Sequence, residues 1–314
     1  MTDPAPLSPS THTPPRRYRA SGKVILLGEH AVVYGHPALA AAITPGCEVW
    51  HAAPAAPGLS LTIAAWERTF RPDDASDLGR ALAALAETLG VTDAALEGVL
   101  HLPGGGGLGS SAALGVACAR ALLGGDDDLE RTLAGALAWE KVFHGNPSGV
   151  DHTLAALGGV RRFVKGEGAS RVGLRRGMTL VIADSGERAS TRDMVASVAA
   201  QVAHRPAETR RTLEAIAALV RNACLALPEG DFKTLGDMMN LNQMLLSSLL
   251  LSTERLETLC AAARGAGALG AKLTGAGGGG CMVALCPDEA ATVARVTAAL
   301  TALGAPTRQV EVTP

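Results

Sequence analysis

Residues 103–113 read Pro-Gly-Gly-Gly-Gly-Leu-Gly-Ser-Ser-Ala-Ala, and the expected fold is built outward from this stretch. Glycines leave backbone N–H groups uncovered, so such a loop can close around an anion. The serines open an Ala- and Leu-rich segment, residues 111–123, typical of a helix whose N-terminal N–H groups and positive dipole end face the same anion. No Gly-Lys-Ser/Thr follows, which excludes a Walker A loop. We interpret the stretch as a polyphosphate-binding loop, with a flexible packing loop as the alternative.

The composition is that of a globular protein with two domains. The chain has 314 residues, 47% hydrophobic and 18% charged, and exceeds the usual size of a single core. A net charge of −2 and 3% aromatic residues give no basis for binding nucleic acid or an anionic membrane. No membrane-spanning segment and no secretory signal are expected. The six cysteines form no Cys-x-x-Cys pair and are interpreted as reduced thiols of a cytoplasmic protein.

Short apolar runs and helical periodicities along the chain predict an α+β fold in two layers. Residues 1–15 contain five prolines and are expected to form a disordered tail. Strands are expected at 23–27, 47–52, 59–65, 97–102, 178–184, 281–286 and 308–312. Helices are expected at 77–90, 111–123, 129–143, 190–203, 207–226, 231–247, 253–266 and 288–302. The segment 159–176 is interpreted as a solvated connection between the halves, because it carries the basic residues Arg161, Arg162, Lys165, Arg171, Arg175 and Arg176.

Three more segments place polar residues where elements begin or end. Residues 21–30, Ser-Gly-Lys-Val-Ile-Leu-Leu-Gly-Glu-His, put a lysine and an acid at the two ends of an apolar strand. Residues 139–151, Trp-Glu-Lys-Val-Phe-His-Gly-Asn-Pro-Ser-Gly-Val-Asp, end a helix in strong turn chemistry and then reach an acid. Residues 274–280, Thr-Gly-Ala-Gly-Gly-Gly-Gly, form a second glycine loop that enters a strand. Each segment taken singly has a structural explanation: solvated strand ends for the first, a helix cap for the acid of the second, and a tight strand entry for the third.

In combination, residues 20–40, 103–113 and 271–285 resemble the three motifs of the GHMP small-molecule kinase superfamily. Three segments resemble its mevalonate kinase branch: Lys-Val-Ile-Leu-Leu-Gly-Glu-His-Ala-Val-Val-Tyr-Gly at 23–35, His-Gly-Asn-Pro-Ser-Gly-Val-Asp at 144–151, and Asn-Leu-Asn-Gln-Met-Leu-Leu at 240–246 with Gly-Ala-Lys-Leu-Thr-Gly-Ala-Gly-Gly-Gly-Gly-Cys at 270–281. The resemblance spans about residues 18–286. It implies an N-terminal domain of ribosomal-protein-S5 type, residues 16–175, and a ferredoxin-like C-terminal domain, residues 176–314.

The resemblance also implies an activity and its partners. ATP would phosphorylate the 5-hydroxyl of (R)-mevalonate, with Mg²⁺ as cofactor, and relatives suggest a homodimer. Asp151 matches the catalytic aspartate that accepts the hydroxyl proton, and Lys23 matches the lysine beside it. The two residues that match Mg²⁺ ligands are Ser111 and Glu140. The expected mevalonate-pocket residues are Glu29, His30, Thr191 and Ala276. The expected ATP- and phosphate-binding residues are Pro103, Gly104, Gly105, Gly106, Gly107, Leu108, Gly109, Ser110, Ser111, Ala112, Ala113, Gly275, Ala276 and Gly277.

Each assignment has a structural alternative. These are an ion pair for Lys23 and Asp151, a solvated position for Glu140, a backbone hydrogen bond for His30, and a helix cap for Thr191 or Ser190. Phe143 stands where a smaller aliphatic residue is common and predicts a tighter pocket. Arg188 could substitute for a basic residue that some relatives carry at position 189.

Three other functions are alternatives to this interpretation. Phosphorylation of phosphomevalonate or another small alcohol is disfavoured by the intact segment 144–151. A dinucleotide-binding oxidoreductase needs a strand before the glycines and an acid that ends a second strand, and the acids at 126–128 lie between two expected helices. A catalytically silent sensor is disfavoured because Lys23, Ser111, Glu140 and Asp151 are all present.

Overall fold

Strand β2, Ala38–His51, is the centre of the first sheet in the computed structural model, which describes residues 14–104, 106–145 and 147–314. Strand β1, Arg17–Leu27, pairs antiparallel along one edge of β2. Strands β5, Ala94–Leu100, and β6, Val160–Val164, share the other edge. Beyond them lie β3, Leu59–Ile63, β4, Arg68–Phe70, and β7, Gly168–Arg171, in the order β4-β3-β5-β2-β6-β7.

Four helices accompany this sheet. They are α1, Asp77–Leu89, α2, Ser110–Leu123, α3, Leu129–His144, and α4, Val150–Leu157. Helix α2 packs on β1, β2 and α3, and its small residues are buried almost all round, as expected for a helix inside the fold. The side chains of Ser76 and Asp128 accept hydrogen bonds from the backbone at the start of α1 and α3 and fix where those helices begin.

The C-terminal half holds a four-stranded antiparallel sheet. Its strands are β8, Met178–Asp184, β9, Gly270–Leu273, β10, Cys281–Cys286, and β11, Thr307–Val312. Its helices are α5, Thr191–His204, α6, Pro206–Glu229, α7, Phe232–Ser248, α8, Glu254–Gly265, and α9, Ala290–Ala302. The order β11-β8-β10-β9 places the fourth strand beside the first and the third beside the second. This confirms the expected ferredoxin-like arrangement and the α+β class.

One of the hydrophobic clusters joins the two halves. Leu26 and Leu39 of the first sheet pack in the same buried cluster as Leu180 and Val283 of the second sheet and Met239 of α7. This common core fixes the face of β1 against the C-terminal half and therefore sets the cleft between the halves. The expected boundary after residue 175 lies in the connection between β7 and β8. No helix in the described ranges is both long enough and apolar enough to cross a membrane.

The interpretation of residues 159–176 as a solvated connection is wrong. Residues 160–171 form the hairpin β6–β7, which pairs with β2 and buries Val160, Phe163 and Val164. Side chains alternate along β6, so Val160 and Val164 share one face with Arg162, and Phe163 shares the other face with Arg161. Each face therefore mixes an arginine with buried apolar residues, which hid the strand in the sequence. Residues 1–13, which make up most of the expected tail, and residues 105 and 146 lie outside the described residues.

Candidate active site

A cavity of about 280 Å³ lies in the cleft between the two halves. It collects side chains from the end of β1, from α3 and α4, from the hairpin β6–β7 and from the start of α5. The lining residues that bear on its chemistry are Lys23, Glu29, His30, Glu140, His144, Asp151, His152, Lys165, Thr191, Arg192 and Ala276. Most of the polar residues expected from the sequence therefore face one space, although they come from segments far apart in the chain.

Lys23 and Asp151 form an ion pair at this cavity. The ammonium Nζ lies 3.1 Å from Asp151 Oδ1 and donates a 2.8 Å hydrogen bond to the Gly107 carbonyl. The Lys23 side chain is only 4% exposed, whereas the Asp151 side chain is 31% exposed. The cation is thus fixed from behind by the glycine loop, and the carboxylate is the partner that a bound molecule can reach.

Helix α4 presents Asp151 in its first turn, where an anion is favoured by the helix dipole. The sequence predicted only a turn before this acid, because α4 is eight residues long and directly follows a Gly/Pro segment. Gly149 begins the helix with φ +97°, and a Cβ there would lie 3.0 Å from the Phe163 ring. A side chain at position 149 would therefore displace the turn that aims Asp151.

Ser111 and Glu140 form a second polar pair. Ser111 Oγ, in the first turn of α2, donates a 2.8 Å hydrogen bond to Glu140 Oε1 of α3, and the Trp139 indole N–H donates to the same hydroxyl at 3.3 Å. Glu140 is 1% exposed, which excludes the solvated helix position. Burial, followed by the charge of Asp151, raises the pKa of Glu140 to about 7, against the opposing effects of the Ser111 hydrogen bond and Lys23. The site thus favours additional positive charge.

The two glycine loops touch each other through their backbones. The Gly106 carbonyl accepts a 3.1 Å hydrogen bond from the Cys281 N–H. Gly107 has φ +77°, and a Cβ there would lie 2.9 Å from the Thr274 carbonyl, so this approach requires glycine. Gly107, Gly275 and Ala276 line the cavity. They give the wall a stretch of glycine-loop backbone, and the N-terminus of α2 follows the first loop directly, an arrangement that suits a phosphate group.

The other expected loop residues have different surroundings. Leu108, Ala112 and Ala113 are buried in the core, so only their backbones can serve an anion. Pro103 and Gly104 are exposed, Gly106 and Ser110 are buried, and Gly109 precedes α2 in a left-handed conformation. Gly277 packs against the Leu251 carbonyl and does not line the cavity. Gly105 lies outside the described residues.

Glu29 lies in the cavity wall, but its carboxylate points into the protein. One oxygen forms an ion pair with Lys272 of β9, and the other accepts a 3.1 Å hydrogen bond from Asn242 of α7. Burial raises the pKa of Glu29 and lowers the pKa of Lys272, while the attraction between the two opposes both shifts. A ligand would therefore meet the side of Glu29 rather than a free carboxylate oxygen.

The remaining expected pocket residues, His30 and Thr191, both line the cavity. His30 has φ +60°, lines the cavity, and makes a 2.8 Å hydrogen bond from ring Nε2 to the Ala276 carbonyl, so its backbone contact and its place at the pocket coexist. Burial lowers the pKa of His30, which favours the neutral ring. Thr191 lines the cavity, and Ser190 caps α5 through its hydroxyl. The alternative of a helix cap at Ser190 is therefore confirmed, and Thr191 itself does not cap the helix.

Two departures from the family pattern behave differently from expectation. Phe143 does not line the cavity; it packs against Trp139, with ring centroids 6.1 Å apart, so the expectation of a tighter pocket is wrong. Arg188 donates two 2.7 Å hydrogen bonds to the carboxylate of Asp184, which occupies its guanidinium. Arg192, four residues further along the chain and in the cavity wall, is the better placed cation.

Polar residues without an assigned site role in the sequence also lie at or behind the cavity; besides His144 and Ser148, they include four further residues. Lys165 and Arg192 are cations of the wall, His152 follows Asp151 on α4, and Lys272 pairs with Glu29. Burial lowers the pKa of His152 despite the nearby charge of Asp151. The sequence places Lys165 among solvated basic residues, because no local pattern indicates the hairpin that carries it. Lys272 lies inside the segment 270–281. Its position between the apolar residues Ala271 and Leu273 is the sequence feature that could have indicated a buried lysine.

Known proteins resemble the chain over almost its whole length. The family model described as the GHMP kinases N terminal domain matches residues 77–159, and the one described as GHMP kinases C terminal matches residues 210–304. A mevalonate kinase of Thermococcus onnurineus is 36% identical over 311 residues, covering 88% of this chain and 90% of that protein. A mevalonate kinase of Aeropyrum pernix is 38% identical over 297 residues, covering 86% and 88%.

The solved structures agree with the sequence relatives. The crystal structure of L. major mevalonate kinase in complex with R-mevalonate is 28% identical, superposes with a TM-score of 0.83, and covers 98% of each chain. The mevalonate kinase of Methanococcus jannaschii, at 22% identity and a TM-score of 0.82, shares the fold.

Proposed function

Because this chain belongs to the mevalonate kinase family of the GHMP kinases, we propose that it transfers the γ-phosphoryl group of ATP to the 5-hydroxyl of (R)-mevalonate. The products are (R)-5-phosphomevalonate and ADP, in isoprenoid biosynthesis by the mevalonate pathway. One observation carries the proposal: the Lys23–Asp151 pair, 3.1 Å apart, and Glu140, which accepts a 2.8 Å hydrogen bond from Ser111, line the same cavity beside two glycine loops.

In this reaction Asp151 orients the 5-hydroxyl and accepts its proton. Its exposed carboxylate can meet a hydroxyl in the cavity, as proton transfer within hydrogen-bond reach requires. Lys23, 3.1 Å from the aspartate, would offset negative charge as the oxygen attacks the γ-phosphorus. Phosphoryl transfer depends mainly on positioning and electrostatics, so a rigid cation held by the Gly107 carbonyl is suited to the task.

We propose that Ser111 and Glu140 hold Mg²⁺. A hydroxyl and a carboxylate whose oxygens are 2.8 Å apart are hard oxygen donors, and a bound cation would offset the burial and the Asp151 charge that raise the pKa of Glu140. Mg²⁺ bound there would neutralise phosphate charge and bridge to ATP. Two protein ligands are enough for Mg²⁺, because water and phosphate oxygens fill its other coordination positions.

The remaining groups of the cavity account for the two substrates. The triphosphate of ATP would lie against Gly107, Gly275 and the first turn of α2. The carboxylate of mevalonate needs a cation away from the reacting hydroxyl, and Lys165 and Arg192 offer one in the described part of the wall. His30, Thr191 and Ala276 would complete the mevalonate side, with Glu29 supporting it from behind.

We also propose that the enzyme works in the cytoplasm, as a homodimer, on small molecules only. The described cysteines are all free, with five of the six buried, which suits a reducing compartment. The small net charge gives no surface field that would attract nucleic acid or an anionic membrane.

Release of ADP with MgATP, measured against a panel of mevalonate, 5-phosphomevalonate, homoserine and galactose, tests this function. We expect turnover with mevalonate alone. Turnover with another member of the panel and none with mevalonate would overturn the substrate assignment, whereas no turnover with any of them would overturn the assignment as a kinase of this group.

A further inference from the structure

The outer edge of β1 is bound by both glycine loops. Alternate residues of a strand direct their N–H groups to the same edge. The Lys23 N–H donates to the Leu108 carbonyl of the phosphate loop at 2.9 Å, and two residues along, the Ile25 N–H donates to Thr274 Oγ1 at 2.9 Å. The opposite edge of β1 pairs with β2. The strand that carries the Lys23 ammonium therefore also sets the places where the two loops attach.

Thr274 makes this attachment with its side chain alone. It is 1% exposed and does not line the cavity. Its hydroxyl accepts from the Ile25 N–H and donates to the Ile25 carbonyl at 3.2 Å, so it satisfies both backbone groups of that residue. The next residues, Gly275 and Ala276, are in the cavity wall. A shift in the position of Thr274 would therefore move the backbone of Gly275 and Ala276, which faces the expected phosphate position.

Lys272 fastens the same loop from two residues upstream. Its side chain is completely buried, pairs with Glu29, and also lies 3.4 Å from the Ile25 carbonyl. Asn242 holds the other oxygen of Glu29 from α7. Burying a lysine and a glutamate is costly unless both are paired and hydrogen-bonded, so this arrangement tolerates little displacement. β9 is thus joined to Ile25 of β1 and to Glu29 just after β1, both on the C-terminal side of Lys23.

We propose that Thr274 and Lys272 are positioning residues of the kinase, which hold the second glycine loop in register with Lys23 by binding the outer edge of β1. The inference rests on the proposed function and adds two residues to it that touch neither substrate. A displacement of about 1 Å in such a site can lower a rate about 100-fold. The expected signature is a loss in kcat with smaller changes in KM, because the loop must fit the transferring phosphoryl group most closely in the transition state.

The test compares Thr274→Val, Thr274→Ser and Thr209→Val in the full chain. Thr274→Val keeps the shape and removes the hydroxyl, and Thr274→Ser restores it. Thr209→Val is the matched control, because Thr209 is also buried and donates to a backbone carbonyl, that of Gln201 at 3.1 Å, away from the cavity. We expect Thr274→Val to lower kcat about 10- to 100-fold, Thr274→Ser to recover most of it, and Thr209→Val to alter the Tm but not kcat.

Equal kcat in Thr274→Val and Thr209→Val, or no recovery in Thr274→Ser, would overturn the inference. Should Thr274→Val not fold, Thr274→Ala is measured in the same way. Failure of both to fold, with Thr209→Val folded, would assign the hydroxyl to stability and also overturn it. Absence of turnover by the unaltered enzyme with mevalonate would instead refute the proposed function, so the two failures are distinguishable.

Discussion

Substituting Lys272 should destabilise the protein far more than its single charge suggests. Lys272→Met leaves the Glu29 carboxylate fully buried with Asn242 as its remaining side-chain donor, and removes the cation near the Ile25 carbonyl. Breaking a buried pair from one side typically costs about 3–5 kcal/mol. For 314 residues the unfolding entropy is about 0.66 kcal/mol/K, so the expected fall in Tm is about 5–8 °C.

Glu29→Gln should destabilise the protein less than Lys272→Met, and the losses in the free energy of unfolding should not add in the double variant. In Glu29→Gln the new amide can donate to Asn242 Oδ1, a buried oxygen without a hydrogen-bond partner in the described structure, once the Asn242 amide turns over. In the double variant Glu29→Gln/Lys272→Met no unpaired charge stays buried. We therefore expect the double variant to be more stable than Lys272→Met, with a coupling free energy of about 2–3 kcal/mol.

Thermal unfolding of the four proteins by circular dichroism checks this cycle. The matched control is Lys233→Met, because Lys233 forms an exposed helical pair with Asp237 at 3.0 Å. Such a pair contributes little, and the Tm should change by less than about 1 °C. The reasoning is refuted if Lys272→Met lowers the Tm no more than Lys233→Met does, or if the double variant loses the sum of the two single losses.

Three further substitutions test the proposed roles. Asp151→Asn should lower kcat by about 10²–10⁴-fold with nucleotide affinity retained, and a near-normal kcat would remove Asp151 from proton transfer. Ser111→Ala should raise the Mg²⁺ concentration needed for half-maximal rate, because one oxygen donor beside Glu140 is lost; an unchanged Mg²⁺ titration would contradict this ligand. Lys165→Gln should raise KM for mevalonate more than KM for ATP, with Arg162→Gln on the same hairpin as the control. If Lys165→Gln raises the two KM values equally, or changes them no more than Arg162→Gln does, Lys165 does not contact the substrate carboxylate.

Local signals were sufficient for the elements that bear the proposed chemistry. The glycines before Ser110, the apolar run that follows Lys23 and the helical period of residues 77–90 each depend on neighbours in the chain, and the structure has a loop, a strand and a helix there. Helix α4 and hairpin β6–β7 were not expected, because a helix of eight residues has little periodicity and the arginines of the hairpin concealed its three core residues.

Contacts between the halves could not be derived from such signals. Lys272 and Glu29 are 243 residues apart, and nothing local to either residue states that the other neutralises it. The same holds for Thr274 and Ile25, whose contact exists only because the shared core brings β1 to β9. Phe143 shows the converse: family comparison placed it beside the substrate, whereas the orientation of α3 turns it toward Trp139.

Identification of the product by ³¹P and ¹³C NMR, after incubation of the enzyme with MgATP and (R)-mevalonate, tests the central claim most directly. Asp151 and the two glycine loops are proposed to act on the 5-hydroxyl, with the mevalonate carboxylate held at the Lys165 and Arg192 side of the cavity. We predict a single phosphate monoester with phosphorus coupled to carbon 5, formed in equal amount to ADP. A phosphate on the 3-hydroxyl, or release of inorganic phosphate with mevalonate unchanged, would contradict it.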